Sequence, residues 1–225
     1  MSSPAIAPVS DALAAASKAR FWDRIARKYA ADPIADMAGY EATLQRVQGL
    51  LAPQQDVLEI GCGTGSTALR LALFTRSMLA TDVSAGMIAI ARERLANQPS
   101  PQLRFAVADA EAPVFGCGVF DAVLAFNVLH LATDLDAALQ QVVLALRPGG
   151  LLISKTPCLA EMNPLIPYLA MPLMRAIGKA PAVLCFDEHR LTSAMAQQGL
   201  HIVCTERHGR RGKDIRAFVV ARKPG

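Results

Sequence analysis

Apolar and polar positions change their period along this 225-residue chain. Residues 10–31 place Phe21, Trp22, Ile25 and Tyr29 on one side at helical spacing, until Pro33 interrupts the pattern. A second helix is predicted over 38–51, stopping before Pro53. Short apolar runs then alternate with helical stretches. Strands are predicted at 56–60, 77–81, 103–108, 119–126 and 151–155, and helices at 66–74, 84–96 and 134–146. The run 119–126 is almost wholly apolar, as expected of a strand covered on both faces. Ser84 reads as a helix cap, and Thr133 with Asp136 approximates a capping box. Pro148-Gly149-Gly150 ends the helix before the fifth strand. A last helix at 187–198 precedes two strands, 201–207 and 215–222, joined as a hairpin by the polar turn 208–214. Strands alternating with helices predict an α/β fold: a seven-stranded, mostly parallel sheet with helices on both faces and an antiparallel C-terminal hairpin.

Residues 157–186 break the alternation. They hold five prolines and few charges, and read as an inserted helical cap. The chain then reads as a single domain, 1–225. It comprises an N-terminal helical cover (1–52), a core (53–156), the cap (157–186) and a C-terminal helix with hairpin (187–225). AVILMFWYC residues are 52% and charged residues 19%, which rules out a disordered or fibrous chain. The formal charge of +4 is concentrated at the end: residues 206–225 carry a net +5 and the rest sums to −1. That is not the balance of a protein that coats nucleic acid. The basic hairpin reads as a solvated turn, with anionic phospholipid or nucleic acid as the alternatives. Five cysteines without a C-x-x-C pair argue for reduced thiols in a cytoplasmic protein rather than a disulfide framework. The charge-free stretch 162–174 is too short and too proline-rich to span a bilayer.

The most informative segment is Glu59-Ile60-Gly61-Cys62-Gly63-Thr64-Gly65, which follows a predicted strand and opens a helix. The dinucleotide fingerprint G-x-G-x-x-G would require glycine or alanine at position 66, where Ser66 stands. An acid followed by G-x-G-x-G instead resembles motif I of class I S-adenosylmethionine-dependent methyltransferases. Four further features occur in order: Asp82 closing the second strand, Met87, Asp109-Ala110 after the third, and Asn127-Val128-Leu129-His130 after the fourth.

The resemblance implies a Rossmann-like fold and S-adenosylmethionine as cofactor, with S-adenosylhomocysteine as product. By the same resemblance Asp82, beside Val83, accepts from the ribose, Met87 packs on the adenine, and Asp109-Ala110 meets its amino group. Gly61, Cys62, Gly63 and Gly65 approach the cofactor, Tyr29 and Asn127 flank it, and Glu59 orients either the loop or the methionine ammonium. The stretch F-W-D-R-I-A-R-K-Y resembles the start of quinone-biosynthesis C-methyltransferases. It departs from them at Ala30, where they carry aspartate, and in lacking an arginine-asparagine pair after the fourth strand.

His130 is the candidate general base, since its ordinary pKa suits proton acceptance near neutrality; lining the pocket is the alternative. Tyr40 and Lys155 are expected at the substrate, as are Met171 and Met174 of the apolar cap, unless that cap packs on the sheet or on a second copy. The expected acceptor is a small hydrophobic or aromatic molecule. A phospholipid or quinone precursor, or a regulatory protein that binds the cofactor without catalysis, are the alternatives. His189, His201 and His208 lack metal-ligand spacing, so no metal is expected. No nucleic-acid partner is expected; a homodimer and peripheral membrane contact stay open.

Overall fold

The structure is a computed structural model that describes residues 9–162, 165, 168, 171–176, 180–209 and 216–225. Two helices lead: α1 (Val9–Ala31) and α2 (Met37–Gln48). The core then runs β1 (Asp56–Ile60), α3 (Ser66–Leu71), β2 (Ser77–Asp82), α4 (Ala85–Asn97), β3 (Leu103–Val107), β4 (Phe120–Phe126), α5 (Leu135–Ala145) and β5 (Leu146–Pro157). A short α6 (Met171–Ala176), then α7 (Glu188–Gln197), β6 (His201–Glu206) and β7 (Arg216–Arg222) complete it. The seven strands form one sheet in the order β3-β2-β1-β4-β5-β7-β6. β7 is antiparallel to both β5 and β6, and the other pairings are parallel. This is the Rossmann-like sheet with a C-terminal hairpin.

Alternation along the strands divides the core between the two faces. On β4, Val123 packs with Leu139 and Val142 of α5 and Leu191 of α7. Its neighbour Leu124 packs on the opposite side with Leu44 of α2, Leu71 of α3 and Ile88 of α4. A strand buried on both faces has no polar side, so its sequence shows a run rather than an alternation. A third, smaller cluster joins Ala26 of α1 to Met87 and Ile90 of α4, and Trp22 leans on it. Thus α1 packs on another helix as well as covering the ligand side of the sheet.

Local signals set most helix starts. Ser84 caps α4, its hydroxyl accepting from Met87 N at 3.0 Å. The expected Thr133–Asp136 capping box is not what starts α5. Asp134 is the cap, accepting from Asp136 N at 2.8 Å and Ala137 N at 3.2 Å. A carboxylate at that position meets the first unpaired N–H groups directly and needs no reciprocal partner. Asp134→Ala should therefore destabilise the fold by about 1 kcal/mol in denaturant unfolding, whereas Thr133→Ala should change it by less than about half that. The hairpin turn at 210–215, much of the predicted cap and the side chain of Met171 lie outside the described residues.

Candidate active site

The carboxyl ends of β1, β2, β4 and β5 open on one cavity of about 480 Å³. Its centre is the turn between β1 and α3, where Gly61, Gly63 and Gly65 all have positive φ, at 66°, 53° and 77°. A Cβ on Gly61 would stand 2.5 Å from Val128 Cβ, so this residue must be glycine for the β1 and β4 loops to pass. A Cβ on Gly63 would meet only Tyr29 Cε1, at 3.9 Å; this backbone faces the cavity. Asp82, at the end of β2, holds the turn: Oδ2 accepts from Gly63 N and Oδ1 from Ser84 N, each at 2.9 Å. A carboxylate offers about four acceptor sites, so two bonds leave room for a diol at the same group. Desolvation raises the Asp82 pKa, and the two backbone N–H groups oppose that shift.

Glu59 lies beneath the turn, 2% exposed, and its Oε2 has no hydrogen-bond partner. Burial, with the Asp82 charge adding to it, pushes its pKa up to about 8. The ligand-free site therefore holds a neutral carboxyl with one acceptor unused, which fits a cationic donor from a ligand.

α1 and the segment after it form the near wall. Lys18, Trp22 and Tyr29 of α1 line the cavity, followed by Pro33, Ile34 and Ala35. The ring of Trp22 meets Tyr29 edge-on, centroids 6.1 Å apart. Two contacts tie this wall to the core. Asp23 accepts from Ser84 Oγ at 2.6 Å and from Gly86 N at 2.8 Å. Arg94 reaches from α4 to Thr64 Oγ1 and Ser66 Oγ, each at 2.8 Å, and to Ala30 O at 3.1 Å. One guanidinium thus links the glycine turn to the end of α1.

Comparison with known proteins shows what the stretch carrying this turn is similar to. Residues 57–150 match the family model described as a methyltransferase domain. This stretch, 94 of the 225 residues, is therefore similar to a methyltransferase domain. Among curated relatives, a hybrid PKS-NRPS synthetase of Macrophomina phaseolina is 41% identical over 120 residues, covering 48% of this chain and 3% of that protein. An O-methyltransferase of Penicillium expansum is 29% identical, covering 61% of this chain and 51% of that one. The chain thus spans a small part of the first relative and about half of the second. Among solved structures, a Haemonchus contortus phosphoethanolamine N-methyltransferase, in complex with S-adenosylhomocysteine, has a TM-score of 0.72. It is 17% identical and covers 93% of this chain and 61% of that chain.

The fold brings most of the residues singled out in the sequence to the cavity. Tyr29, Tyr40, Glu59, Gly61, Cys62, Gly63, Asp82, Val83, Met87, Ala110, Asn127 and Lys155 line it. Gly65 lies behind them, packed against the ring of Phe105, which a Cβ would approach to 2.6 Å. Asp109 does not line the cavity: Lys18 Nζ takes its Oδ1 at 3.2 Å, and Lys18 also pairs with Glu111.

His130 is not among the lining residues either, although Leu129 and Leu131 are. Its carbonyl accepts from Leu184 N at 2.7 Å, its buried Nδ1 has no partner, and burial draws its pKa down to about 4. Met174 is 39% exposed and also outside the lining. No described residue of 157–186 lines the cavity, so the near wall is α1 and the α1–α2 connection instead. Lys18, Thr43 and Arg216 line it without having been singled out. Among the described residues no His, Cys, Asp or Glu group could hold a metal, and no helix is long and apolar enough to cross a membrane.

Proposed function

We propose that the chain is an S-adenosylmethionine-dependent methyltransferase acting on a small, largely apolar or aromatic molecule. The observation that supports this most directly is the Asp82-braced glycine turn opening onto the cavity. Gly63 presents backbone to the ligand, Asp82 retains acceptor sites for ribose hydroxyls, and Met87, 2% exposed, offers an apolar surface at the adenine side. Glu59 Oε2 is placed for the methionine ammonium. When bound, the cofactor supplies an electrophilic methyl group on a sulfonium. What the chain supplies is alignment and dryness: Phe126, Val128, Leu129 and Ile34 wall the space beside the turn with hydrocarbon. Alignment of this kind can lower a barrier by several kcal/mol without a covalent intermediate. His130, the expected proton acceptor, does not line the cavity and burial draws its pKa down to about 4, so the arrangement favours alignment over a base at this residue.

Calorimetry with S-adenosylmethionine and S-adenosylhomocysteine tests the cofactor assignment, and transfer of label from the methyl group to small acceptors tests the activity. Asp82→Ala should weaken S-adenosylhomocysteine binding about thirtyfold, as expected for about 2 kcal/mol of charge-assisted hydrogen bonding. Equal binding by Asp82→Ala and the parent protein would place the cofactor elsewhere.

A further inference from the structure

Among the described residues, no acid pairs with the guanidinium that borders the glycine turn. Arg94 stands in the last turn of α4, half-buried, and lines the cavity beside Gly63, Thr64 and Ser66. Its bonds go to neutral oxygens. Nη1 donates to Thr64 Oγ1 and Ser66 Oγ, each at 2.8 Å, and toward Thr64 O at 3.2 Å. Nη2 donates to Ala30 O at 3.1 Å. The acid next to it on α4, Glu93, is bonded to Arg27 instead, through two bonds of 2.9 Å. Asp32, exposed just past α1, lines the cavity without forming an ion pair with Arg94. A guanidinium keeps its charge at any working pH, so this one is suited to an anion that enters the cavity.

We propose that Arg94 binds the carboxylate at the amino-acid end of S-adenosylmethionine. This rests on the methyltransferase reading above. That end of the ligand is a zwitterion whose ammonium and carboxylate share one carbon, so the groups that hold them must be neighbours. Glu59, beneath the turn, is placed for the ammonium. Arg94 meets the turn at Thr64, one residue beyond Gly63, whose backbone faces the cavity. With ribose and adenine at Asp82 and Met87, the carboxylate is left for the rim that Arg94 occupies. It then meets a cation there instead of only Asp82 and Asp32.

The guanidinium is also held ready. Thr64, 5% exposed, and Ser66 fix Nη1, and the end of α1 fixes Nη2. Nε–H and the second Nη2–H bond nothing among the described residues, and a fork of this kind can take both oxygens of a carboxylate. Ser66 therefore does more than break a dinucleotide pattern: its hydroxyl steers Arg94 to the turn. Other cations of the cavity are placed elsewhere. Lys18 is bonded to Asp109 and Glu111, and Lys155 and Arg216 belong to β5 and β7, which lie beyond β4 from the turn.

The test is calorimetry with S-adenosylhomocysteine and with decarboxylated S-adenosylhomocysteine, which keeps the ammonium and lacks the carboxylate. The parent should bind the acid about tenfold or more tightly than the decarboxylated ligand, as expected for one charge-assisted bidentate pair. Arg94→Met should bring the two affinities within about threefold of each other, and should hold the decarboxylated ligand within about threefold of the parent value. A mere brace for the turn behaves differently: both ligands weaken together in Arg94→Met, and that result overturns the proposal. So does an unchanged preference for the acid in this variant. Equal binding of the two ligands by the parent overturns it as well, and leaves the cofactor assignment standing. If Arg94→Met does not fold, Arg94→Gln, which keeps donors for Thr64 and Ser66, is read in the same way. A parent that binds neither ligand overturns the methyltransferase reading, and the proposal with it.

Discussion

Gly61→Ala should lower S-adenosylmethionine affinity by more than a hundredfold, with the fold retained. Two costs coincide at this residue. Its φ of 66° lies where an L side chain is strained by about 1–3 kcal/mol. Its added Cβ would also stand 2.5 Å from Val128 Cβ, well inside contact distance. Neither side has somewhere to go. Val128 follows Asn127, which itself has a positive φ of 53°. The strands behind both loops are locked in register, with Ile60 beside Ala125. The relief left is to move the glycine turn, and Gly63 N then leaves Asp82. Gly118→Ala is the matched control. Its φ of 62° brings a similar backbone strain, but nothing lies within 4 Å of the new Cβ, and it does not line the cavity. It should lose stability and keep affinity. Affinity within tenfold of the parent in Gly61→Ala would mean that the turn does not carry the cofactor.

The sheet and the site differ in how far the chain reveals them. Six of the seven strands were legible to within a residue or so because a strand covered on both faces has to be apolar over its whole length. The run ending at Phe126 could hardly be anything else. The fifth, expected at 151–155, runs Leu146–Pro157 and takes in the Pro148-Gly149-Gly150 stretch that reads as a turn. The glycine turn was legible because positive φ and close passage demand glycine at fixed spacing. The near wall was not. Lys18 reaches Asp109 across 91 residues, and Lys155 reaches Thr43 across 112. No local period encodes such pairs, since each residue alone looks like an ordinary helix or strand position. The same limit explains Met174. A methionine-rich helix must cover something, but its pattern does not say which surface. The Thr133–Asp136 reading failed for a smaller reason. Two adjacent residues both suit a helix cap, and the backbone chose the carboxylate of Asp134, which serves two N–H groups.

Glu59→Gln should abolish a pH dependence of stability and, with it, one of cofactor binding. The parent carboxyl is held near 8 by burial, against 4.5 for the unperturbed group. Between those values the folded protein retains a proton that the unfolded chain has released. Stability therefore falls as pH rises from about 4.5 to about 8, and this contribution is level above that. The size is on the order of 3 kcal/mol between pH 5 and pH 8, and Glu59→Gln should lose that slope whatever its absolute stability. Denaturant midpoints of the ligand-free protein across this range measure it, and a flat parent profile would refute it. Binding should show the opposite sign. An ammonium set beside the unpartnered Oε2 stabilises the carboxylate, so the proton leaves on association. Affinity for S-adenosylmethionine should thus rise from pH 6 to pH 8 in the parent. Calorimetry in buffers of different ionisation enthalpy should report up to one proton released. Glu59→Gln should bind about tenfold more weakly at pH 8, equivalent to about 1.4 kcal/mol, and release none. The same buried acid then makes the empty site less stable and the filled one tighter, because the ligand brings the charge that the fold withholds.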